Sequence, residues 1–217
     1  MTLHRELSDL PFAAALTPFE RGTLAAGDTY DSCHFDGVAF GDAGISGSRF
    51  IECAFSDVTF DGLGGRKSRF SDVWLRDVRL LSADLADSSW LDVTFLGCAA
   101  AGVQAFGANM RRVTFHDCKL DSVNFRTAVL AEVVFENCLM RDVDFARATV
   151  KRARFPGSTL TRADFSQAKL EKVDLRGAEL DITAGFESLR GAIISTPQLI
   201  SMAPTLARQL GIQVKDP

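Results

Sequence analysis

Between residues 113 and 145 a large apolar side chain returns at every fifth position: Phe115, Leu120, Phe125, Leu130, Phe135, Met140 and Phe145. Two residues before each stands a small one, Val113, Cys118, Val123, Ala128, Val133, Cys138 and Val143, and most residues between are polar. A period of five suits neither regular element. On an α-helix residues five apart are about 500° apart, so the stripe rotates away, and on a strand an odd step reverses the face. The chain must turn once per repeat, each pentad forming one short side of a coil that buries its inward side chains by stacking on its neighbours.

The number of sides follows from comparing stacked positions. Between residues 28 and 178 the small positions are identical in 15 of 27 pairs at separation 20, against 3 of 30 at separation 5. Four pentads therefore close one coil. From Asp28 to Ile182 the count never slips across 31 pentads; 13 of the 17 phenylalanines fall on the central position, and 29 of 31 small positions hold Ala, Val, Ser or Cys. That predicts nearly eight coils and a rod roughly 37 Å long at the ~4.8 Å spacing of adjacent strands.

Two places depart from the rule. At Gly65 the centre is glycine and its small partner is Leu63, which predicts that the leucine fills the space. Between Leu96 and Met110 the centres Ala100 and Ala105 are undersized, while Leu91, Leu96 and Phe106 sit at outward positions, predicting swapped packing at a bend or an exposed apolar patch.

The flanks lack the beat. Residues 1–27, with Leu10, Phe12, Leu16, Phe19 and Leu24, read as an N-terminal cap over the open end of residues 28–182. Residues 183–217 read as a helical C-terminal cap, starting with Thr196 as cap and Pro197 in the first turn, kinked or split by Pro204 and stopped by Gly211. Leu199, Ile200, Met202, Leu206, Leu210 and Ile212 exceed what one surface helix needs, which points to dimerisation.

The arrangement resembles the pentapeptide-repeat family over about 150 of the 217 residues, most plainly in AKLEKVDLRGAEL at 168–180 and in ARFPG, TRADF and SQAKL before it. The resemblance implies the fold class expected here, all-β, a right-handed quadrilateral β-helix. Within that family the ending LRGAIISTPQLISMAPTLARQLGIQV is similar to the close of the Qnr and MfpA type, a group that acts on type II topoisomerases; Leu189–Gly191 and Leu210–Val214 match. The resemblance implies a homodimer joined at its C-terminal ends that binds DNA gyrase or topoisomerase IV as a mimic of the DNA segment, inhibiting the enzyme or relieving it of trapped drug.

Charge bears on that expectation. The chain carries 28 acidic and 24 basic residues, net -4, but unevenly. Residues 28–107 hold 12 acidic and 6 basic residues, residues 108–182 hold 11 and 13. In the acidic half Glu52, Asp72 and Asp92 lie 20 apart on one column, and Asp57 and Asp77 on the next corner. Stacked like charges repel, and a regular negative rod is what a basic DNA-binding saddle recognises. The competing explanation is that Asp suits tight corners by capping turn amides. Arg111, Arg112, Lys151, Arg152 and Lys172 form a basic column farther along, yet direct nucleic-acid binding is not expected, because acids outnumber bases.

Catalysis is not expected either. His4, His34 and His116 are scattered, no nucleophile stands in a motif, and the five cysteines all occupy the small inward position without Cys-x-x-Cys spacing, so no metal or cofactor is implied. No apolar run approaches the ~18 residues of a membrane span and the start MTLHRELSDLPF is charged, so a cytoplasmic location without membrane contact is expected. The alternative function is a structural or adaptor solenoid for another protein, with Leu91, Leu96 and Phe106 as its interface.

Overall fold

The structure is a computed structural model that describes residues 5–20 and 22–215; His4 lies outside them. Most strands are three residues long and every pairing is parallel, with Tyr30 beside Phe50, Phe35 beside Phe55 and Phe40 beside Phe60. From Tyr30 to Leu170 along one side of the coil, as along the repeat generally, partners are 20 residues apart, so four pentads make a coil as the sequence predicts. The coils stack into four walls. Wall 1 has centres such as Phe50, Phe70 and Trp90, and wall 2 has Phe55, Leu75, Phe95 and Phe115. Wall 3 has Phe60, Leu80 and Leu120, and wall 4 has Ile45, Leu85 and Phe125. Walls 1 and 2 share a 13-stranded sheet and wall 3 is an 8-stranded one, while wall 4 is joined by single bridges such as Gly44 to Gly64.

The core is a stack of rings set at the strand spacing. Phe35 and Phe55 lie 4.4 Å apart and 4° from parallel, and Phe115 and Phe135 lie 4.9 Å apart at 6°. Each buried phenylalanine contributes about 1.5–3 kcal/mol. The corners depend on a different property. Every fifth residue from Gly27 to Gly177 has positive φ, nine glycines and 22 others, and all of the 22 are polar. The left-handed conformation is costly for most L-residues and least so for Gly, Asn and Asp.

Both ends extend the coil beyond the repeat. Thr17–Pro18 pairs with Cys33 and His34 at the start, and Ala192–Ile193 pairs with Val173 and Asp174 at the finish, giving about nine turns rather than nearly eight. Phe19 packs against Phe35, ring centres 4.5 Å apart and tilted by 32°, and Leu24 joins the core. Leu10, Phe12 and Leu16 do not lie over the open end. They pack on the outside of wall 2 with Ala54, Trp74 and Leu96.

At the C-terminus α1, Thr196–Gln209, runs unbroken through Pro204. The carbonyl that loses its partner there belongs to Ile200, an exposed residue with access to water. The cap is Ser195, one residue earlier than expected: its hydroxyl accepts from the Gln198 amide, and the Gln198 side chain accepts from the Ser195 amide at 2.7 Å. Gln198 Nε2 also donates to the carbonyls of Leu175 and Ala178, fastening α1 to the last coil.

The two irregular stretches resolve differently from expectation. Leu63 is buried, but it is Leu85 and Ile45, from the coils on either side, that fill the space at Gly65; a Cβ there would lie 2.8 Å from Leu85 Cδ2. Around Ala100 and Ala105 no outward side chain turns in. An apolar cavity of about 30 Å³ remains, bordered by Leu80, Trp90, Phe95 and Met110. Leu91, Leu96 and Phe106 stand on walls 1, 2 and 4 respectively and form no common patch. Leu96 is buried under the N-terminal segment, and Phe106 is covered by the Arg66 guanidinium, 5.2 Å from the ring centre.

Candidate functional site

Wall 2 is bounded by two corner columns. One carries Glu52, Asp72 and Asp92, continuing as Arg112, Glu132, Arg152 and Lys172; the other carries Asp57 and Asp77, between Gly37 and Gly97. All five predicted acidic residues thus flank one wall, and all have φ between 49° and 55°.

Capping of turn amides does not account for these columns. The carboxylates that accept the amide two residues on are Asp84, Asp144, Asp164 and Asp174, each just before a central residue, with Asn124 doing the same. Among the described residues none of the five corner acids accepts a backbone N–H. What favours Asp at these corners is its tolerance of positive φ, and Glu52 lacks that advantage.

Ion pairing separates the five. Asp92 takes two bonds from Arg112, both 2.6 Å, and this holds its carboxyl below the usual range. Asp77 lies 3.4 Å from Arg76. Glu52, Asp57 and Asp72 form no salt bridge among the described residues. Burial, then the carboxylates of Asp92 and Glu52, push the Asp72 carboxyl up. The C-terminal half behaves otherwise. Glu132 pairs with Arg152, Asp121 with Arg141, Asp142 with Arg162 and Glu171 with Lys151, so much of the basic column is neutralised one coil away.

The apolar residues of α1 divide likewise. Met202 is buried against the last coil and Leu206 packs beside it, while Leu199, Ile200, Leu210 and Ile212 are exposed, Ile200 at 69% and Leu210 at 76%. Val214, at 75%, joins the exposed set; its period had ended, so the pattern did not single it out. An open groove between α1 and the tail is lined by Ile200, Pro204, Ala207, Ile212 and Val214.

Among the described residues no three metal-binding side chains converge, and no helix is long and apolar enough to cross a membrane. The five cysteines are free, and burial pushes the Cys53 thiol up to about 12.

Comparison with known proteins agrees with the architecture. A family model described as a pentapeptide repeat region matches residues 108–184. The same five-residue register runs back beyond that match to Asp28, so the matched residues lie within one continuous solenoid of five-residue period. No curated protein matches it. Among solved structures it is similar to HetL of Nostoc sp. strain PCC 7120, a pentapeptide repeat protein involved in regulating heterocyst differentiation, at 19% identity over 80% of this chain and 92% of that one, TM-score 0.48. It is also similar to full-length QnrB1, a plasmid-mediated fluoroquinolone resistance protein, at 24% identity over 90% and 95%, TM-score 0.41. A trypsin-treated QnrB1 variant gives 25% identity over 91% and 95%, TM-score 0.40.

Proposed function

We propose that this solenoid is a non-catalytic DNA mimic that binds a type II topoisomerase, DNA gyrase or topoisomerase IV, in the cytoplasm, and protects it from DNA-directed poisons such as quinolones or competes with DNA for it. The observation that supports this reading most is the set of carboxylates Glu52, Asp57 and Asp72 at the two edges of wall 2, unpaired among the described residues, whereas the corner acids Glu132 and Asp142 of the C-terminal half are each met by an arginine one coil away. Unpaired stacked charge opposes folding, and it is relieved when a basic surface covers it. The exposed residues Leu199, Ile200, Leu210 and Ile212 support a homodimer through the C-terminal ends, which doubles the length of the rod.

The adaptor reading has lost its interface, because Leu91, Leu96 and Phe106 face three different walls. The test is gyrase and topoisomerase IV activity across a titration of the protein, with and without a cleavage-stabilising quinolone. Restored activity in the presence of drug, or inhibition in its absence, is expected; no effect on either enzyme under either condition overturns the reading.

A further inference from the structure

Residues 5–16 lie along the outside of wall 2, between the two acidic columns. Leu10 is buried there with Ala54, Trp74 and Leu96, flanked by Leu7, Phe12, Ala13 and Leu16, in a cluster separate from the solenoid core. Two short 3-10 turns, Leu7–Asp9 and Ala13–Ala15, shape the segment, and Asp9 accepts from the Glu6 amide. Trp74, Thr94 and Leu96 are outward residues of the wall, yet each is less than 8% exposed.

The segment also alters the charge of the wall. Arg76 stands on wall 2 between the columns, and Glu6 Oε2 accepts from its Nη1 at 2.7 Å. Arg76 is shared: its Nε lies 3.4 Å from Asp77 Oδ2 while its Nη1 donates to Glu6, so Glu6 draws part of the cation's charge away from the column, and without it Arg76 would face Asp77 alone. Farther along, Arg5 donates to Nε2 of His116 at 3.1 Å, and the buried Nδ1 of that histidine has no hydrogen-bond partner among the described residues.

We infer that residues 5–16 are part of the partner-binding surface, turning wall 2 from an apolar strip interrupted by a cation into a face whose two acidic edges act together. A basic partner that spans both columns docks on this segment, not on the bare wall. The inference rests on the reading of the columns as a contact surface, and it adds Glu6, Arg76 and Leu10 as determinants.

The experiment measures binding of the full chain to DNA gyrase, with Asp72→Asn as the reference for the columns. Glu6→Gln releases Arg76 and should weaken binding roughly two- to five-fold, the scale of one exposed charge pair. Glu6→Gln combined with Arg76→Gln should restore it, an outcome that a merely structural segment would not give. Leu10→Asp breaks the separate cluster and should weaken binding further, while the circular dichroism of the solenoid is unchanged. If Asp72→Asn weakens binding but Glu6→Gln and Leu10→Asp bind as the parent does, the segment is no part of the surface. If Asp72→Asn also binds as the parent does, the reading of the columns fails and this inference with it.

Discussion

Asp72→Asn removes the middle charge of the Glu52–Asp72–Asp92 column while keeping the shape and the positive φ of the corner, which Asn137 adopts at 52° in this same chain. Coils are ~4.8 Å apart, and two unit charges at that distance in water repel by about 0.9 kcal/mol. A Debye length of about 8 Å removes roughly half of that. Asp92 is already matched by Arg112, so Glu52 supplies most of what remains, and partial burial adds a cost of the same sign. The variant should be more stable by about 0.5–1 kcal/mol at neutral pH, or roughly 1–4 °C in melting temperature for a chain of this size.

The pH dependence gives the prediction its sign. Because the folded carboxyl titrates above its ordinary value of 3.8, the native state holds the proton longer than the unfolded chain does. The penalty is absent below that value and fully developed once pH has passed the folded one. Parent and variant should therefore melt together at acid pH and separate as pH rises. Asp92→Asn should behave oppositely. Its pKa is lowered by the Arg112 bonds, so it contributes stability above the ordinary value that is lost as pH falls, and its replacement lowers the melting temperature at neutral pH. Thermal melts by circular dichroism at a series of pH values measure both. An Asp72→Asn variant that melts at or below the parent at neutral pH, or differs from it equally at every pH, refutes the repulsion argument.

Three further outcomes are expected. Ala100→Val, which adds two methyl groups beside the 30 Å³ cavity, should raise stability by about 0.5–1 kcal/mol if the lining relaxes slightly, and urea melts will read it. Gly185→Ala would place a Cβ 2.1 Å from the Phe165 carbonyl carbon at a φ of +85°, so it should unseat the last turn and cost about 2–4 kcal/mol, seen as early protease cleavage after the repeat. Ile200→Asp together with Leu210→Asp, both on the exposed side of α1, should give a monomer in light scattering with unchanged circular dichroism; a parent that is itself monomeric would refute the dimer.

Much of the architecture was legible because a five-residue period leaves the chain little freedom. The separation of 20 between identical small residues returned as the register of every wall, from Tyr30 beside Phe50 to Val150 beside Leu170. The parts that were not legible lie where that period is silent. Nothing in the spacing of Leu10 and Phe12 tells the end of a solenoid from its side, because both are apolar surfaces open to water; the signal was Trp74 and Leu96 at outward positions, of which Leu96 was read as part of a bend or a patch and Trp74 was not singled out. The fate of Ala100 and Ala105 was hidden for a related reason. An undersized centre can be filled from the next coil, as Leu85 and Ile45 do at Gly65, or left as a void, and only packing in three dimensions distinguishes them. Of the candidate surface, the sequence placed the five acids on adjacent corners but could not divide the paired Asp77 and Asp92 from the unpaired Glu52, Asp57 and Asp72, since pairing depends on rotamers across coils.

The corners also show that the backbone does not dictate the charge of this rod. What the backbone requires there is tolerance of a φ near +50°, and within one chain Gly, Ser, Asp, Glu, Asn, Thr, Gln, Lys and Arg all meet it. Charge at a corner can therefore change sign while the coil geometry is kept, with Gly, Asn and Asp the least strained choices. Where the chain places Arg112, Arg152 and Arg162 at corners, it places Asp92, Glu132 and Asp142 one coil before them, and the ladder becomes self-neutralising. It could have done the same at Glu52, Asp57 and Asp72, where Ser, Asn or Gly would satisfy the turn and an arginine 20 residues on would cancel the repulsion. Folding does not explain that difference between the halves. On the function proposed above, a basic partner covering the N-terminal half accounts for it, with wall 2 and its edges as the face such a partner would meet.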